Sequence, residues 1–417
     1  MNYIQTQTRK WLRIAFVNLL IVALLGTLMR YKIAYSLPFI EQQKIMNAHS
    51  HFSFVGWVTQ ALMVLMVCYL STQTNENIFK KYHWIFIANL VTAYGMLFSF
   101  SWEGYGLTSI IFSTLSIFVS YAFAFIFWKD LNKIKIKSIA HYWFIAALIF
   151  SVISSFGPFF LAYMMANHWE HPNLFLATLY YFLHFQYNGW FFFACAGLFS
   201  SYLNLGQISL RIQKAIFWLF AAACVPAYFL SALWLPMSSL AYLLVVLSAI
   251  AQSVGGFLLI YSIIKKREFF LNQIRRDSRW ILILSALALS IKLFLQLAST
   301  IPFLSNFAFG FRPIVIGYLH LVLLGVITLF IIGYSRLKEL LIVNKISNAG
   351  VFLFITGIIL NEIFLMFQGV SYMNYINIAN INVWLLAAAL LMFIGIILLN
   401  TGQWKNKKVK VNDDQNK

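Results

Sequence analysis

Long apolar stretches alternate with short polar connections along the whole of this 417-residue chain. An apolar stretch of about 18 residues or more is long enough to cross some 30 Å of hydrocarbon as a helix. Twelve such spans are predicted, near residues 11–30, 50–71, 82–101, 107–128, 141–165, 173–202, 213–232, 238–264, 280–299, 313–335, 349–369 and 381–401. The pattern therefore predicts an all-α polytopic membrane protein, with one transmembrane bundle over residues 1–404 and a basic cytoplasmic tail over 405–417.

Composition supports this fold class. Hydrophobic residues make up 62% of the chain and charged residues 10%, whereas soluble domains carry roughly a quarter charged residues. The net charge of +19 is distributed unevenly, because 25 of the 30 Lys and Arg fall in connections on one side of the predicted spans. This asymmetry follows the positive-inside rule and predicts that both termini are cytoplasmic. The basic charge thus reports topology in an inner membrane, with lipid and not nucleic acid as the expected partner.

The three cysteines lie singly in apolar spans, without a Cys-x-x-Cys pattern. They are Cys68, Cys195 and Cys224. Such residues are typical of small core positions, so neither a disulfide framework nor a covalent haem attachment is predicted.

Histidines stand out at similar depth in three spans. His49 and His51 open the second span, while His184 and His320 lie within the sixth and tenth. All three spans start on the outer side in the predicted topology, so the four rings fall in the outer half of the bilayer. An ionisable ring is costly there without a purpose. If the three spans are neighbours, they form an imidazole-lined site.

Two interpretations of these histidines remain open. Imidazole is a common axial ligand of membrane haem, and two histidines from different helices make a low-spin, electron-transferring site. Each single histidine is equally well explained as a hydrogen-bonded core residue. His49 shares a small, polar helical stripe with Gly56 and Gln60, whereas His51 lies about 200° away around the helix axis. His49 is therefore the favoured ligand, with His51 second or serving another site.

Three further charged residues need an explanation at membrane depth. Arg312, one of few cations on the outer side, is a candidate partner for a haem propionate, with snorkelling to the interface as the alternative. Lys292 and Glu362 lie inside apolar spans, where a charge requires a partner or a hydrated path. They are expected to pair with each other, to pair with Gln296 and Asn361, or to relay protons.

The placement of histidine in spans two, six and ten resembles the catalytic subunit of the haem–copper oxidase superfamily, which includes nitric oxide reductases. The segment Gly317-Tyr318-Leu319-His320 is similar to that family's span-ten motif, and His184 with Gly189 is similar to its span-six copper motif. The resemblance implies that His49 or His51, together with His320, holds a b-type haem, and that His184 occupies a copper-ligand position.

The chain departs from that family at the reactive centre. Tyr318 stands where the family has a second span-ten histidine, and the seventh span has no histidine. The family's span-six tyrosine position holds Asn188, with Tyr187 one residue earlier. An oxidase- or reductase-like enzyme would therefore rely on Tyr318 as a haem ligand and on Tyr187, since tyrosinate is a known axial ligand. Pure electron transfer or gas protection needs neither tyrosine.

A second resemblance is to the NnrS family of haem- and copper-containing membrane proteins linked to nitric oxide stress, which share the His-x-His form of His49-Ser50-His51. Together the resemblances imply an integral membrane haem protein in respiratory electron transfer or nitric oxide handling. They imply a cytochrome or quinol electron donor and partner subunits, and they leave copper open. The alternative is a secondary transporter without haem, although no half-to-half repeat of the kind typical of transporters is recognised.

Overall fold

The computed structural model describes residues 3–205 and 208–404. Over these ranges the protein is 85% helical and has no strands. Ten of its helices are long and apolar enough to cross a membrane, which agrees with the predicted all-α polytopic fold. The predicted basic tail at 405–417 lies outside the described residues.

Twelve principal helical segments, α1 to α12, follow one another with short connections. They are α1 (Tyr3–Ala34), α2 (Gln42–Thr74), α3 (Phe79–Glu103), α4 (Leu107–Leu131), α5 (Ile139–Ala166), α6 (172–205), α7 (Leu210–Cys224), α8 (Ser239–Lys265), α9 (Arg276–Ala298), α10 (Arg312–Leu337), α11 (Lys345–Met373) and α12 (Ile381–Trp404). Short helices at Arg267–Gln273 and Pro302–Gly310 lie in the connections before α9 and α10.

Ten of these segments are the helices of membrane-crossing length, and α6 and α7 are the other two. The helix α7 has only 15 residues and is extended by a 3₁₀ turn at Pro226–Ser231. Proline lacks an N–H group and disrupts a continuing α-helix, which explains the change of helix type. The predicted count of twelve spans and the cytoplasmic termini stay predictions.

Three helices contain a π-helical stretch in their interior. These stretches are Ser53–Thr59 in α2, Phe185–Phe191 in α6 and Leu321–Thr328 in α10. Single π-helical turns inside α-helices are rare and occur frequently at functional sites. Each stretch starts one or two residues after a histidine that the sequence marks as a candidate ligand.

The three π-helical stretches contact one another at the centre of the bundle. The rings of Phe54 and Phe191 are 5.4 Å apart between α2 and α6. Trp57 Nε1 donates to Thr328 Oγ1 at 3.1 Å between α2 and α10, and the stretches of α6 and α10 also touch. The expectation that the three histidine-bearing helices are neighbours is therefore confirmed.

Side chains from neighbouring helices bind carbonyl groups of the π-helical stretches. Asn18 Nδ2 donates to the Gly56 carbonyl at 2.6 Å. Asn89 Nδ2 donates to the Val55 carbonyl at 3.1 Å, and Ser285 Oγ donates to the Val326 carbonyl at 2.8 Å. A backbone acceptor inside a membrane has no water partner, so these buried polar side chains stabilise the irregular backbone that would otherwise be costly there.

Glycine brings α11 and α12 into close contact. A Cβ atom added to Gly395 would lie 2.5 Å from the Phe354 backbone nitrogen, and one added to Gly350 would lie 2.5 Å from the Leu399 nitrogen. Small residues let membrane helices approach until their backbones touch, which increases van der Waals contact. Helix α12 also packs on α1, where Asn400 Nδ2 donates to the Phe16 carbonyl at 3.1 Å.

Candidate haem site and the neighbouring polar cluster

His49 lies against α1 with one ring nitrogen committed. Its Nδ1 is 3.1 Å from the Val22 carbonyl oxygen. Because a carbonyl oxygen only accepts, Nδ1 carries the proton and Nε2 keeps its lone pair. A Cβ added to Gly26 would lie 3.3 Å from His49 Cε1, so the absence of a side chain at Gly26 makes room for the ring. A hydrogen bond of this kind, to a backbone carbonyl, orients metal-ligating histidines.

His320 lies within electrostatic reach of His49. The backbone of Ile316, one turn earlier in α10, lies beside its ring. Both residues are half-buried, and the structure brings these two predicted ligands near each other.

Arg30 is the nearest cation to this pair. It lies in the last turns of α1 and is within electrostatic reach of His49, His320 and Glu362. No carboxylate lies within 4 Å of its guanidinium among the residues described. Arg30 is not among the residues that the sequence pattern predicts for the site. Its place as a rare cation at the end of a predicted span is the signal that could have found it.

His51 points away from His49, as the helical spacing predicts. Its ring stacks on Phe100 at a centroid distance of 4.3 Å and an interplanar angle of 12°. Its Nε2 is 3.3 Å from the Tyr105 hydroxyl. These contacts hold the C-terminal end of α3 against α2, so His51 has a packing role in this structure and His49 takes the position beside His320.

His184 is fully buried, and both of its ring nitrogens are engaged. Nε2 is 2.9 Å from the Cys224 carbonyl oxygen, and the Asn188 amide lies 3.1 Å from Nδ1. The carbonyl accepts from Nε2, so Nδ1 accepts from the amide. In this arrangement neither nitrogen is available to a metal, and the position resembles a hydrogen-bonded core histidine more than a copper ligand.

Tyr318 and Tyr187 lie on the same interface between α10 and α6. Tyr318 is two residues before His320 and therefore about 200° around the helix from it. It comes within electrostatic reach of Tyr187, which is buried in the π-helical stretch of α6. The two tyrosines thus lie together, but on the opposite face of α10 from the His49 and His320 pair.

The remaining charged candidates separate into two places. Arg312 donates to Met46 Sδ at 3.3 Å at the exposed N-terminal end of α10. Glu362 accepts from the Asn361 side chain at 3.1 Å, as one of the expected alternatives predicts, and has Arg30 as its charged neighbour. Lys292 is instead close to Cys224 and His184. The alternative that Lys292 pairs with Glu362 is wrong for the described residues, because no such ion pair is formed.

The donor set beside Arg30 suits a haem better than a bare metal ion. Over the described residues, no three His, Cys, Asp or Glu side chains converge as metal ligands. A porphyrin supplies four nitrogen ligands itself and needs only one or two from the protein. His49 has a free Nε2, and His320 and the Arg30 guanidinium are its neighbours. Together they meet that requirement.

One further signal in the sequence marks all three π-helical stretches. A glycine follows a histidine by five residues in each, at His51 and Gly56, His184 and Gly189, and His320 and Gly325. The first two segments, His51 to Trp57 and His184 to Trp190, share the form His-Phe-x-aromatic-x-Gly-Trp. They lie in every fourth helix, in α2, α6 and α10, so the chain contains a threefold repeat that a comparison of its two halves misses.

The glycines of this repeat are sites of close packing. A Cβ added to Gly189 would lie 2.6 Å from Phe150 Cβ, and one added to Gly325 would lie 3.1 Å from Ala288 Cβ.

The fold and this site define an all-helical protein of the multi-pass membrane class. No protein-family model matches the chain, and no curated protein matches it significantly.

Proposed function

We propose that this chain is a membrane haem protein in which His49 and His320 are the axial ligands of one b-type haem. The observation that carries the proposal is the meeting of these two histidines beside Arg30, on neighbouring helices whose π-helical stretches touch. The threefold His-to-Gly repeat adds support, because rare π-helical turns follow all three candidate positions.

Each residue of the site has a defined part in this function. The Val22 carbonyl accepts the Nδ1 proton of His49, which directs Nε2 toward the ligand position and raises its basicity. The Arg30 guanidinium offsets the negative charge of propionate groups, since charge-assisted bonds of this kind are strong. When bound, the haem supplies reversible one-electron transfer, and two histidine ligands favour that role over binding of a gas.

The place of this chemistry is the outer half of the inner membrane, with a cytochrome or quinol as the electron donor. Respiratory electron transfer is the role best suited to a site with both axial positions taken by histidine. Handling of nitric oxide requires a haem with an open axial position. Such a haem would have to be bound by Tyr318, beside Tyr187, on another face of α10. Copper has no part in the proposal, because both nitrogens of His184 are engaged.

Optical spectroscopy of the purified protein in detergent tests the proposal. Oxidised and dithionite-reduced spectra, with a pyridine haemochrome assay, are expected to show one b-type haem per chain with sharp reduced α and Soret bands. His49→Ala and His320→Ala are each expected to abolish the low-spin spectrum, because each removes an axial ligand.

Two variants provide the controls. His51→Ala removes the ring that stacks on Phe100 and is expected to keep the low-spin spectrum. His171→Ala changes an exposed histidine at the start of α6 and is expected to behave as wild type. Absence of a Soret band in protein from haem-replete cells would refute the haem site, and loss of the spectrum in His51→Ala alone would move the ligand from His49 to His51.

A further inference from the structure

Lys292 is a buried ammonium group at membrane depth. Lys292 lies in the outer part of α9, and the residue is 5% exposed. Its ammonium group has no carboxylate within 4 Å anywhere in the described ranges. Removing a charge from water is costly unless a partner compensates it. The structure therefore leaves an uncompensated positive charge inside the bundle.

The groups closest to Lys292 are neutral. Cys224 and His184 are its electrostatic neighbours, and His184 uses its one ring proton on the Cys224 carbonyl. The other intramembrane charge, Glu362, lies beside Arg30. No acidic side chain in the described part of the chain forms an ion pair with Lys292, and a cation would be repelled by the ammonium group.

Two amide side chains near Lys292 also lack partners. The amide oxygens of Gln296 and Gln252 are buried and form no hydrogen bond within the residues described. Gln296 lies one turn beyond Lys292 on the same face of α9. Gly256 of α8 packs on Leu293 of α9, and Gln252 lies one turn further out on that face of α8. The two amides therefore lie at the same level of the α8 and α9 interface.

These amides can donate to a ligand. The oxygen and nitrogen of a Gln amide are assigned from the surrounding hydrogen bonds, and a half-turn of the group exchanges them. With no protein partner to fix either orientation, Gln252 and Gln296 can each present an N–H group toward Lys292. An ammonium with two neighbouring amide donors is a set of groups that binds an anion.

We propose that Lys292, Gln296 and Gln252 form an internal site for a small monovalent inorganic anion of about the size of chloride. One ammonium compensates one negative charge, and a dianion would again leave net charge buried. Gly256 of α8 packs directly on Leu293 of α9, and this close contact favours a small ligand. The site is separate from the His49 and His320 pair and does not depend on the presence of haem.

Thermal unfolding in detergent tests this site, because a ligand that binds only the folded state raises the unfolding midpoint. The probes are sodium chloride and sodium bromide at pH 6.5, with sodium gluconate keeping the ionic strength constant and sodium sulfate as the dianion. For the wild type, the midpoint is expected to rise along a saturable curve with either halide. With sulfate it is expected to show only the non-saturating rise that this salt causes in folded proteins generally.

Three variants make the test specific. Lys292→Met is expected to abolish the halide response and to match or exceed the wild-type midpoint in gluconate, since it removes the uncompensated charge. Gln296→Leu keeps the ammonium group and is expected to shift half-saturation to a higher halide concentration. This variant replaces Lys292→Met in the test if Lys292→Met does not fold. Lys214→Met changes an exposed lysine and is expected to respond as wild type.

Two results would overturn the site. One is a wild-type midpoint that is the same in halide and in gluconate. The other is a halide response that survives in both Lys292→Met and Gln296→Leu, because the anion would then bind elsewhere.

Discussion

Asn18 connects α1 to the π-helical stretch that follows the first histidine pair, and its replacement tests the account of that stretch. Its Nδ2 donates to the Gly56 carbonyl at 2.6 Å, while the Tyr94 hydroxyl donates to its Oδ1 at 2.8 Å. Asn18→Leu keeps a side chain of similar size and removes both bonds. We expect the variant to be destabilised and the end of α2 near His49 to become less ordered.

The magnitude follows from the two bonds that are lost. Hydrogen bonds between membrane helices contribute about 0.6 kcal/mol on average, with a maximum near 1.7 kcal/mol. The Gly56 carbonyl and the Tyr94 hydroxyl are left without a partner, which costs more than an average bond. The expected loss in the free energy of unfolding is therefore about 1–3 kcal/mol.

A double-mutant cycle in detergent measures this effect by equilibrium unfolding. Tyr94→Phe removes one of the two bonds and is expected to cost less than Asn18→Leu. In the double variant the two losses are expected to be less than additive, because both single changes break the same bond. Asn374→Leu is the matched control, since Asn374 Nδ2 bonds only the Val370 carbonyl of its own helix. Additive losses, or an Asn18→Leu cost no larger than that of Asn374→Leu, would refute the reasoning.

Two glycine substitutions test the packing and the site. Gly395→Ala places a Cβ 2.5 Å from a backbone nitrogen and is expected to cost about 1–3 kcal/mol. Gly310→Ala has no atom within 4 Å of the new Cβ and is the control in the same unfolding assay, where equal midpoints would contradict the close-packing account. Gly26→Leu pushes on the His49 ring and is expected to lower the haem-to-protein ratio, measured by pyridine haemochrome. An unchanged ratio would show that this contact does not position the ligand.

Much of the fold follows from the sequence because membrane crossing is a local property. A run of apolar residues long enough for the hydrocarbon forms a helix whatever its neighbours are, since only a helix satisfies its own backbone there. The ten membrane-length helices and the all-α class follow from that rule. Pro226 explains why α7, alone among the segments in the described ranges, is continued by a 3₁₀ turn.

The sequence also provides a partial basis for choosing between His49 and His51. The 3.6-residue period separates the two rings, and it favours His49 on the polar stripe that faces the bundle. What the period does not show is the Phe100 ring on which His51 stacks, because that contact joins α2 to α3. Arg30, twenty residues before the histidines, has no local pattern that links it to them.

The sequence by itself determined where helices form and which of them are apolar and long enough to cross a membrane. Each of these depends on composition and period over a few turns of one segment. Only the tertiary structure decided which neighbour each polar group meets. It engaged both nitrogens of His184, put Glu362 beside Arg30 and left Lys292 without a carboxylate. Those outcomes depend on how the packed helices are rotated and ordered. Contacts between residues that are far apart along the chain determine that arrangement.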